Sequence, residues 1–200
     1  TSPRFRAGAA CLITLSGAGG MAGMATDFWV FGYGSLMWRP GFEYVERHAA
    51  WNEGYHRALC VYSHVHRGTP ERPGLVMGLD AGGSCRGVAF RVAPKRRDET
   101  LAYLRARELV THVYHEVEAQ VRLDDGRRVA ALAYVVDRGH RQYARGLDRE
   151  ETLRFVRQGV GQSGANADYV RATVEHMREL EVDDPELSWL AQAVGAPAER

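Results

Sequence analysis

Two glycines and a serine follow a short apolar segment near residue 30. The apolar residues 28–31 predict a buried strand, and Gly32-Tyr33-Gly34-Ser35 predicts a tight loop at its end. Glycine reaches backbone conformations that other residues avoid, so such a loop can turn successive N–H groups toward an anion such as a carboxylate. The Ser35 hydroxyl adds a donor or acceptor. The same string also fits an ordinary glycine turn without a ligand, because a short Gly-x-Gly is a weak signal.

One carboxylate, Glu108, follows a predicted helix and stands among apolar residues. Its apolar neighbours in sequence are Leu101, Leu104, Leu109 and Val110. Partial loss of hydration raises the pKa of a carboxyl group, which suits the group to general acid–base catalysis. The alternative is an ordinary surface glutamate that pairs with Arg105 or His112.

Several other catalytic signatures do not occur in the sequence. The histidines and acids near residues 64–66 and 112–118 lack the spacing of H-E-x-x-H, and we interpret them as solvated side chains. Ser35 is not part of a G-x-S-x-G nucleophile motif. Lys95, the only lysine, follows no glycine-rich loop, and the G-x-G-x-x-G string at 159–164 follows a predicted helix rather than a strand. The sequence therefore predicts neither a metal ion nor a cofactor.

Strand patterns dominate the first two thirds of the chain, and helix patterns dominate the last quarter. Strands are predicted at 43–51, 56–62, 75–79, 86–92, 114–123 and 129–136, with turns at 52–55 and 80–83. Asp125-Gly126 predicts a type I′ turn between the last two strands. Helices are predicted at 98–108 and after the N-caps Asp148, Asn166 and Asp184. This order is typical of an α+β fold with its helices concentrated in the C-terminal quarter.

Composition limits the class of protein. A chain of 200 residues fits one domain, predicted at 27–195, after a flexible extension at 1–26 whose apolar run is short and interrupted by glycine and serine. The net charge of +1 argues against nucleic acid or an anionic membrane as partner. No apolar stretch reaches the roughly 20 residues of a membrane span. Three widely spaced cysteines predict reduced thiols and a cytoplasmic location. The oligomeric state stays open.

Six strings along the chain carry a family resemblance. They are W-V-F-G-Y-G-S-L-M-W at 29–38, G-Y-H-R-A-L-C at 54–60, H-R-G-T-P-E-R-P-G-L at 66–75, R-G-V-A-F-R-V at 86–92, R-E-L-V-T-H-V-Y at 107–114 and G-x-x-G-x-N-x-x-Y-V at 161–170. Together they resemble the ChaC-type γ-glutamylcyclotransferases over most of the chain. The resemblance implies a small mixed β-barrel flanked by helices. It also implies release of a γ-glutamyl group as 5-oxoproline, with glutathione as substrate and Cys-Gly as second product.

The resemblance also suggests residues for the site. It makes Glu108 the catalytic carboxylate. It implies that the γ-glutamyl group of the substrate is bound by one segment, which consists of Val30, Phe31, Gly32, Tyr33, Gly34, Ser35 and Leu36. Tyr114 and Tyr143 are candidates for supporting hydroxyls, and Arg57 and Arg67 for contacts to a substrate carboxylate or for structural pairs. The substrate's own α-amine is the nucleophile, so positioning, one acid–base carboxylate and donors for the oxyanion suffice.

Two departures from the family pattern leave details open. Arg86 stands where many relatives have Trp, and His115 follows Tyr114 where many have Arg. Three functions remain possible: cleavage of glutathione, the same chemistry on another γ-glutamyl amine or peptide, or a binding module without activity. Glu108 argues against the binding module, because a protein that only binds does not need a desolvated carboxylate.

Overall fold

Five strands close into a barrel in the computed structural model, which describes residues 27–109 and 111–195. The strands are β1 (Phe28–Gly32), β2 (Glu46–Ser63), β3 (Gly74–Val92), β4 (Tyr114–Leu123) and β5 (Arg128–Val136). Their order around the barrel is β1-β3-β2-β4-β5. All neighbours are antiparallel except β1 and β5, which run parallel and pair at Trp29 with Ala131 and at Val30 with Leu132. The predicted mixed barrel is confirmed.

The strands β2 and β3 are far longer than predicted. The predicted turns at 52–55 and 80–83 are wrong, because both segments continue as paired strand. The register shifts between Glu53 and Tyr55, and Gly54 between them has φ +100°, so the glycine forms a bulge. Gly82 and Gly83, with φ +96° and +71°, lie on the partner strand at the same level. Glycine there bends the long ribbon without ending it, which lets one pair of strands wrap around the barrel.

The β4–β5 hairpin lies close to its predicted bounds, but its turn differs. A type I′ turn requires positive φ at both central residues, and of Asp125 and Gly126 only Gly126 has it, at +90°. The Gly126 N–H donates to the Leu123 carbonyl at 3.0 Å, and the Leu123 N–H donates to the Arg127 carbonyl at 2.8 Å. These bonds define a three-residue loop with a glycine bulge, so the type I′ prediction is wrong.

Four helices lie outside the barrel. They are α1 (Arg97–Glu108), α2 (Arg149–Gln158), α3 (Asn166–Glu179) and α4 (Pro185–Ala193), and a short strand pair, β6 (Val160–Gly161) with β7 (Gly164–Ala165), joins α2 to α3. The predicted N-cap Asp148 is confirmed and forms a capping box, since Asp148 accepts from the Glu151 N–H while Glu151 accepts from the Asp148 N–H. Asp184 caps α4 as predicted.

The prediction that Asn166 caps α3 is wrong. Ala165 is the N-cap, and Asn166 is the first helical residue, with its side chain fully buried. Its amide oxygen accepts from the Leu75 N–H at 2.6 Å, and its amide nitrogen donates to the Leu75 carbonyl at 2.8 Å. Asn166 therefore acts as a strand partner for β3 and fixes the start of α3 against the barrel.

The core fills the barrel and extends under α1. Phe31, Leu79 and Phe90 are fully buried in the main cluster. Leu104 of α1 is fully buried in a second cluster with Val30, Leu36 and Tyr134, which fixes the helix that ends at Glu108. The part of the chain described here contains no helix long and apolar enough to cross a membrane. The predicted flexible extension at 1–26 and Val110, one of the apolar neighbours of Glu108 in the sequence, lie outside the described residues.

Candidate active site

The loop after β1 is a short 3-10 helix at Ser35–Met37. The Met37 N–H donates to the Gly34 carbonyl at 2.9 Å, so the preceding N–H groups of Ser35 and Leu36 have no acceptor within the turn. Gly34 has φ −129° and ψ −133°, which lies outside the main backbone regions of other residues, as expected, whereas Gly32 has no positive φ. Gly32 instead provides space, because a Cβ there would lie 3.0 Å from the Leu36 Cβ.

A cavity of about 130 Å³ opens between this loop and the end of α1. Its lining residues are Tyr33, Gly34, Ser35, Leu36, Val76, Met77, Glu108, Tyr114, Tyr134 and Tyr169. Pockets for drug-sized ligands measure about 300–1,000 Å³, so this one accommodates a single small group. Backbone N–H groups, hydroxyls and one carboxylate form its polar wall, and none of these lining residues is a cation.

Glu108 is the last residue of α1 and presents its carboxylate to the cavity. Its side chain is 19% exposed, and its Oε1 lies 3.1 Å from the Arg107 Nε. Burial raises the pKa of Glu108 above its usual value, and the nearby Arg107 charge opposes this only in part. A carboxyl group whose pKa is moved toward neutral pH can both take and return a proton, which is what general acid–base catalysis requires.

Arg107 joins the loop to the helix end. Its Nη2 donates to the Ser35 Oγ at 2.7 Å, and its Nη1 donates to the Arg39 carbonyl at 2.7 Å and to the Tyr103 hydroxyl at 3.1 Å. Because its Nε also contacts Glu108, one guanidinium fixes the distance between the loop and the carboxylate. Arg107 is therefore a positioning residue for both.

Tyrosine hydroxyls meet the β3 edge beside the cavity. The Tyr114 hydroxyl donates to the Met77 carbonyl at 2.7 Å, and the Tyr169 hydroxyl accepts from the Met77 N–H at 3.2 Å. Burial raises the pKa of Tyr33, Tyr114 and Tyr169, so all three stay neutral at physiological pH. The Tyr33 hydroxyl has no hydrogen-bond partner within the described residues, which leaves it available to a ligand.

Comparison with known proteins identifies the family. A model of the family "ChaC-like protein" matches residues 28–197. This chain belongs to the ChaC-like family. A glutathione-specific gamma-glutamylcyclotransferase from Escherichia coli (strain K12) is 34% identical over 166 residues, which cover 83% of this chain and 72% of that protein. Glutathione-specific gamma-glutamylcyclotransferase 1 from Danio rerio is also 34% identical, covering 81% and 86% of the two chains.

A solved structure has the same fold. The crystal structure of a gamma-glutamyl cyclotransferase specific to glutathione from yeast superposes with a TM-score of 0.75 at 22% identity, covering 84% of this chain and 96% of that one. The predicted fold class and the resemblance to the ChaC family are both confirmed.

The structure brings together only part of the set that the ChaC resemblance suggests. Residues 33–36, Glu108 and Tyr114 line the cavity. Val30 and Phe31 are fully buried in the core, and Gly32 lies beneath the loop, so these three support the loop without lining the cavity.

Arg57 and Tyr143 lie away from Glu108. Both line a different cavity of about 430 Å³ between the barrel and α4. Arg57 is 4% exposed and donates to the carbonyls of Tyr33 and Arg86, each at 2.6 Å, while its Nη1 lies 3.4 Å from the Asp184 carboxylate. The Tyr143 hydroxyl donates to Asp80 at 2.7 Å. Arg57 therefore fixes the loop from behind, and the structure does not place either residue at the cavity that Glu108 lines.

Sequence reasoning missed four cavity residues: Val76, Met77, Tyr134 and Tyr169. Tyr169 carried a signal, since it belongs to the string at 161–170 that supports the ChaC resemblance. Asn166 and Tyr169 stand one helical turn apart and contact Leu75 and Met77 on the same β3 edge. Residues three apart share one face of a helix, so this spacing brings both side chains to the face of α3 that contacts β3.

The raised pKa of Glu108 gives a testable change of stability with pH. The folded chain binds the Glu108 proton more tightly than the unfolded chain, so this group lowers stability as pH rises from the usual value of 4.5 through the raised folded pKa. We expect the unfolding free energy of Glu108→Gln, minus that of the wild type, to increase over this interval and then level off. Urea unfolding from about pH 4 to 8 measures the difference. A difference that stays constant or decreases with pH contradicts the raised pKa.

Proposed function

We propose that this protein is a γ-glutamylcyclotransferase that cleaves glutathione to 5-oxoproline and Cys-Gly. The observation that carries the proposal is a desolvated carboxylate, Glu108, which lines a cavity sized for one small moiety together with a loop whose Ser35 and Leu36 N–H groups have no acceptor within the turn. The names of the family relatives give glutathione as the substrate.

The chemistry needs no nucleophile from the protein. The α-amine of the γ-glutamyl group attacks its own γ-carbonyl carbon, one C–N bond forms, and the C–N bond to the cysteine nitrogen breaks. Glu108 takes one proton from the α-ammonium group before the attack, and the attacking nitrogen loses a second proton as the lactam forms. Both protons pass through Glu108 to the departing nitrogen, which leaves as the ammonium group of Cys-Gly, so the carboxylate is regenerated. The cavity contributes by holding the folded conformer, in which the amine lies near the carbonyl.

The loop supplies charge stabilisation in this proposal. The N–H groups of Ser35 and Leu36 and the hydroxyl of Tyr33 are donors for the substrate α-carboxylate and for the oxyanion that develops at the γ-carbonyl. Because no cation lines the cavity, these neutral donors carry the recognition of negative charge. Tyr114 contributes by orienting the β3 edge through Met77.

A substrate panel tests the proposal. Purified protein is incubated with glutathione, oxidised glutathione and γ-glutamyl amino acids, and 5-oxoproline is measured by mass spectrometry. We expect 5-oxoproline and Cys-Gly from glutathione. Product from another γ-glutamyl compound alone would keep the mechanism and replace the substrate. Binding without product from any compound would overturn the proposal in favour of a γ-glutamyl-binding module.

We also propose that residues 27–195 act as one domain and that the protein works in the cytoplasm. Cys60 and Cys85 are buried and free, as expected where thiols stay reduced. Fractionation of cells that produce the protein measures its location, and recovery outside the cytoplasm contradicts this part of the proposal.

A further inference from the structure

A second void adjoins the cavity and differs from it in charge. It measures about 570 Å³, and we call it the arginine groove after Arg39, Arg67 and Arg107, which line it. Ser35 and Tyr169 line both the groove and the small cavity, so the two voids are neighbours across these residues. The cavity is lined by no cation, whereas the groove has three.

Two of the three guanidinium groups have no carboxylate partner among the residues that the structure describes. Arg39 is exposed, and within the part of the chain that the structure describes its side chain makes no hydrogen bond or ion pair. Arg67 lies over the Tyr169 ring, with its guanidinium carbon 5.1 Å from the ring centroid, and Nη1 donates to the Ser163 and Ala165 carbonyls. These contacts fix Arg67 in place without neutralising it. Both arginines therefore have charge available for an anion.

The carboxylate that lines the groove, Asp168, does not form an ion pair with Arg39 or Arg67. Asp168 pairs with Arg171 at 2.6 Å, on the same helix. Arg107 donates to the Ser35 Oγ and to the Arg39 carbonyl and pairs with Glu108, so its charge is shared with the loop and with that carboxylate. Arg39 and Arg67 are the arginines of the groove that have no carboxylate partner among the described residues.

We propose that the arginine groove binds the terminal carboxylate of the peptide portion that leaves, through Arg39 and Arg67. This inference rests on the proposed function: with the γ-glutamyl group in the small cavity, the remainder of the substrate extends past Ser35 and Tyr169 into the neighbouring groove. The preferred substrate class is then γ-glutamyl peptides with a free C-terminal carboxylate, and γ-glutamyl amines without one are poor substrates.

The test compares glutathione with its glycine amide, which lacks the terminal charge. We expect the wild type to use the amide with kcat/KM lower by about tenfold, the scale of one charged hydrogen-bonded contact. We expect Arg39→Gln to lose most of this preference through a higher KM for glutathione, with kcat little changed. Arg67→Gln should act in the same direction. Arg141→Gln removes an exposed arginine outside both voids and should keep the full preference.

The outcomes separate this inference from the proposed function. Equal use of glutathione and its amide by the wild type, or an undiminished preference in both the Arg39 and Arg67 variants, would overturn the role of the groove while 5-oxoproline formation still supported the reaction. Absence of 5-oxoproline from both compounds would remove the proposed function and this inference with it. The Arg39 side chain is exposed and makes no hydrogen bond or ion pair among the described residues, so its replacement tests the groove without disturbing the fold.

Discussion

Replacing Glu108 by Gln is expected to lower kcat for 5-oxoproline formation by about 10²–10⁴-fold, the usual contribution of general acid–base catalysis. Gln keeps the shape of the side chain and its place at the end of α1, but it can neither take a proton from the substrate ammonium nor return one to the departing amine. Substrate affinity should change little, because the proposed donors on the loop remain. The measurements are single-turnover 5-oxoproline formation by mass spectrometry and glutathione binding by calorimetry.

Glu118→Gln is the matched control for this experiment. Glu118 is exposed on β4 and does not line the cavity, so its variant should retain wild-type kcat and affinity. A Glu108→Gln protein that cyclises glutathione at a rate near the wild type would rule out the acid–base role. Loss of binding together with loss of rate would assign Glu108 to substrate positioning instead.

Asn166→Leu is expected to destabilise the fold by about 2–6 kcal/mol. Leu has a similar shape but leaves the buried N–H and C=O of Leu75 without partners, and each unsatisfied group costs about 1–3 kcal/mol. For a domain of this size the midpoint temperature should fall by roughly 4–24 °C. Because α3 also holds Tyr169 beside the cavity, activity should fall even where the protein remains folded. Thermal unfolding followed by circular dichroism measures the shift.

The chain provides its own control for this prediction, a second fully buried asparagine. Asn52 has one long contact, from its amide nitrogen to the Gln120 carbonyl at 3.5 Å, and its amide oxygen has no partner among the described residues. Replacing such a group by an apolar one of similar shape leaves the free energy of unfolding nearly unchanged or increases it. We therefore expect Asn52→Leu to leave the midpoint temperature unchanged or raise it. Equal losses for Asn52→Leu and Asn166→Leu would mean that burial, and not the bonds to Leu75, sets the cost.

The sequence could predict the loop and the carboxylate because both signals are local. Glu108 stands out through its apolar neighbours, and the structure gives it the expected burial. The loop follows directly from an apolar strand that ends in glycine and serine. Helix starts at Asp148 and Asp184 were also predictable, since a capping side chain acts on a backbone N–H three residues away.

The rest depends on contacts between distant parts of the chain. Glycine at 54 and 82–83 predicts turns, yet the paired strand opposite each glycine converts them into bulges. Arg57 has the chemistry of a carboxylate ligand, but the nearby Tyr33 and Arg86 carbonyls occupy its guanidinium. The cavity wall contributed by Tyr169 requires α3 to dock on β3, and no property of residues 166–170 alone shows where that edge lies.

The parallel pairing of β1 with β5 has a consequence for how the protein folds. Only two residue pairs join these strands, and they connect positions about a hundred residues apart, so the contact forms after a large loss of chain entropy. The β2–β3 and β4–β5 ribbons are contiguous along the chain and can assemble first. The loop before Leu36 continues directly from β1. A molecule in which only the two ribbons have formed therefore lacks the candidate active site until β1 joins the barrel. We expect enzyme activity to return in the slowest kinetic phase of refolding, after most of the circular dichroism signal of the β-strands has recovered.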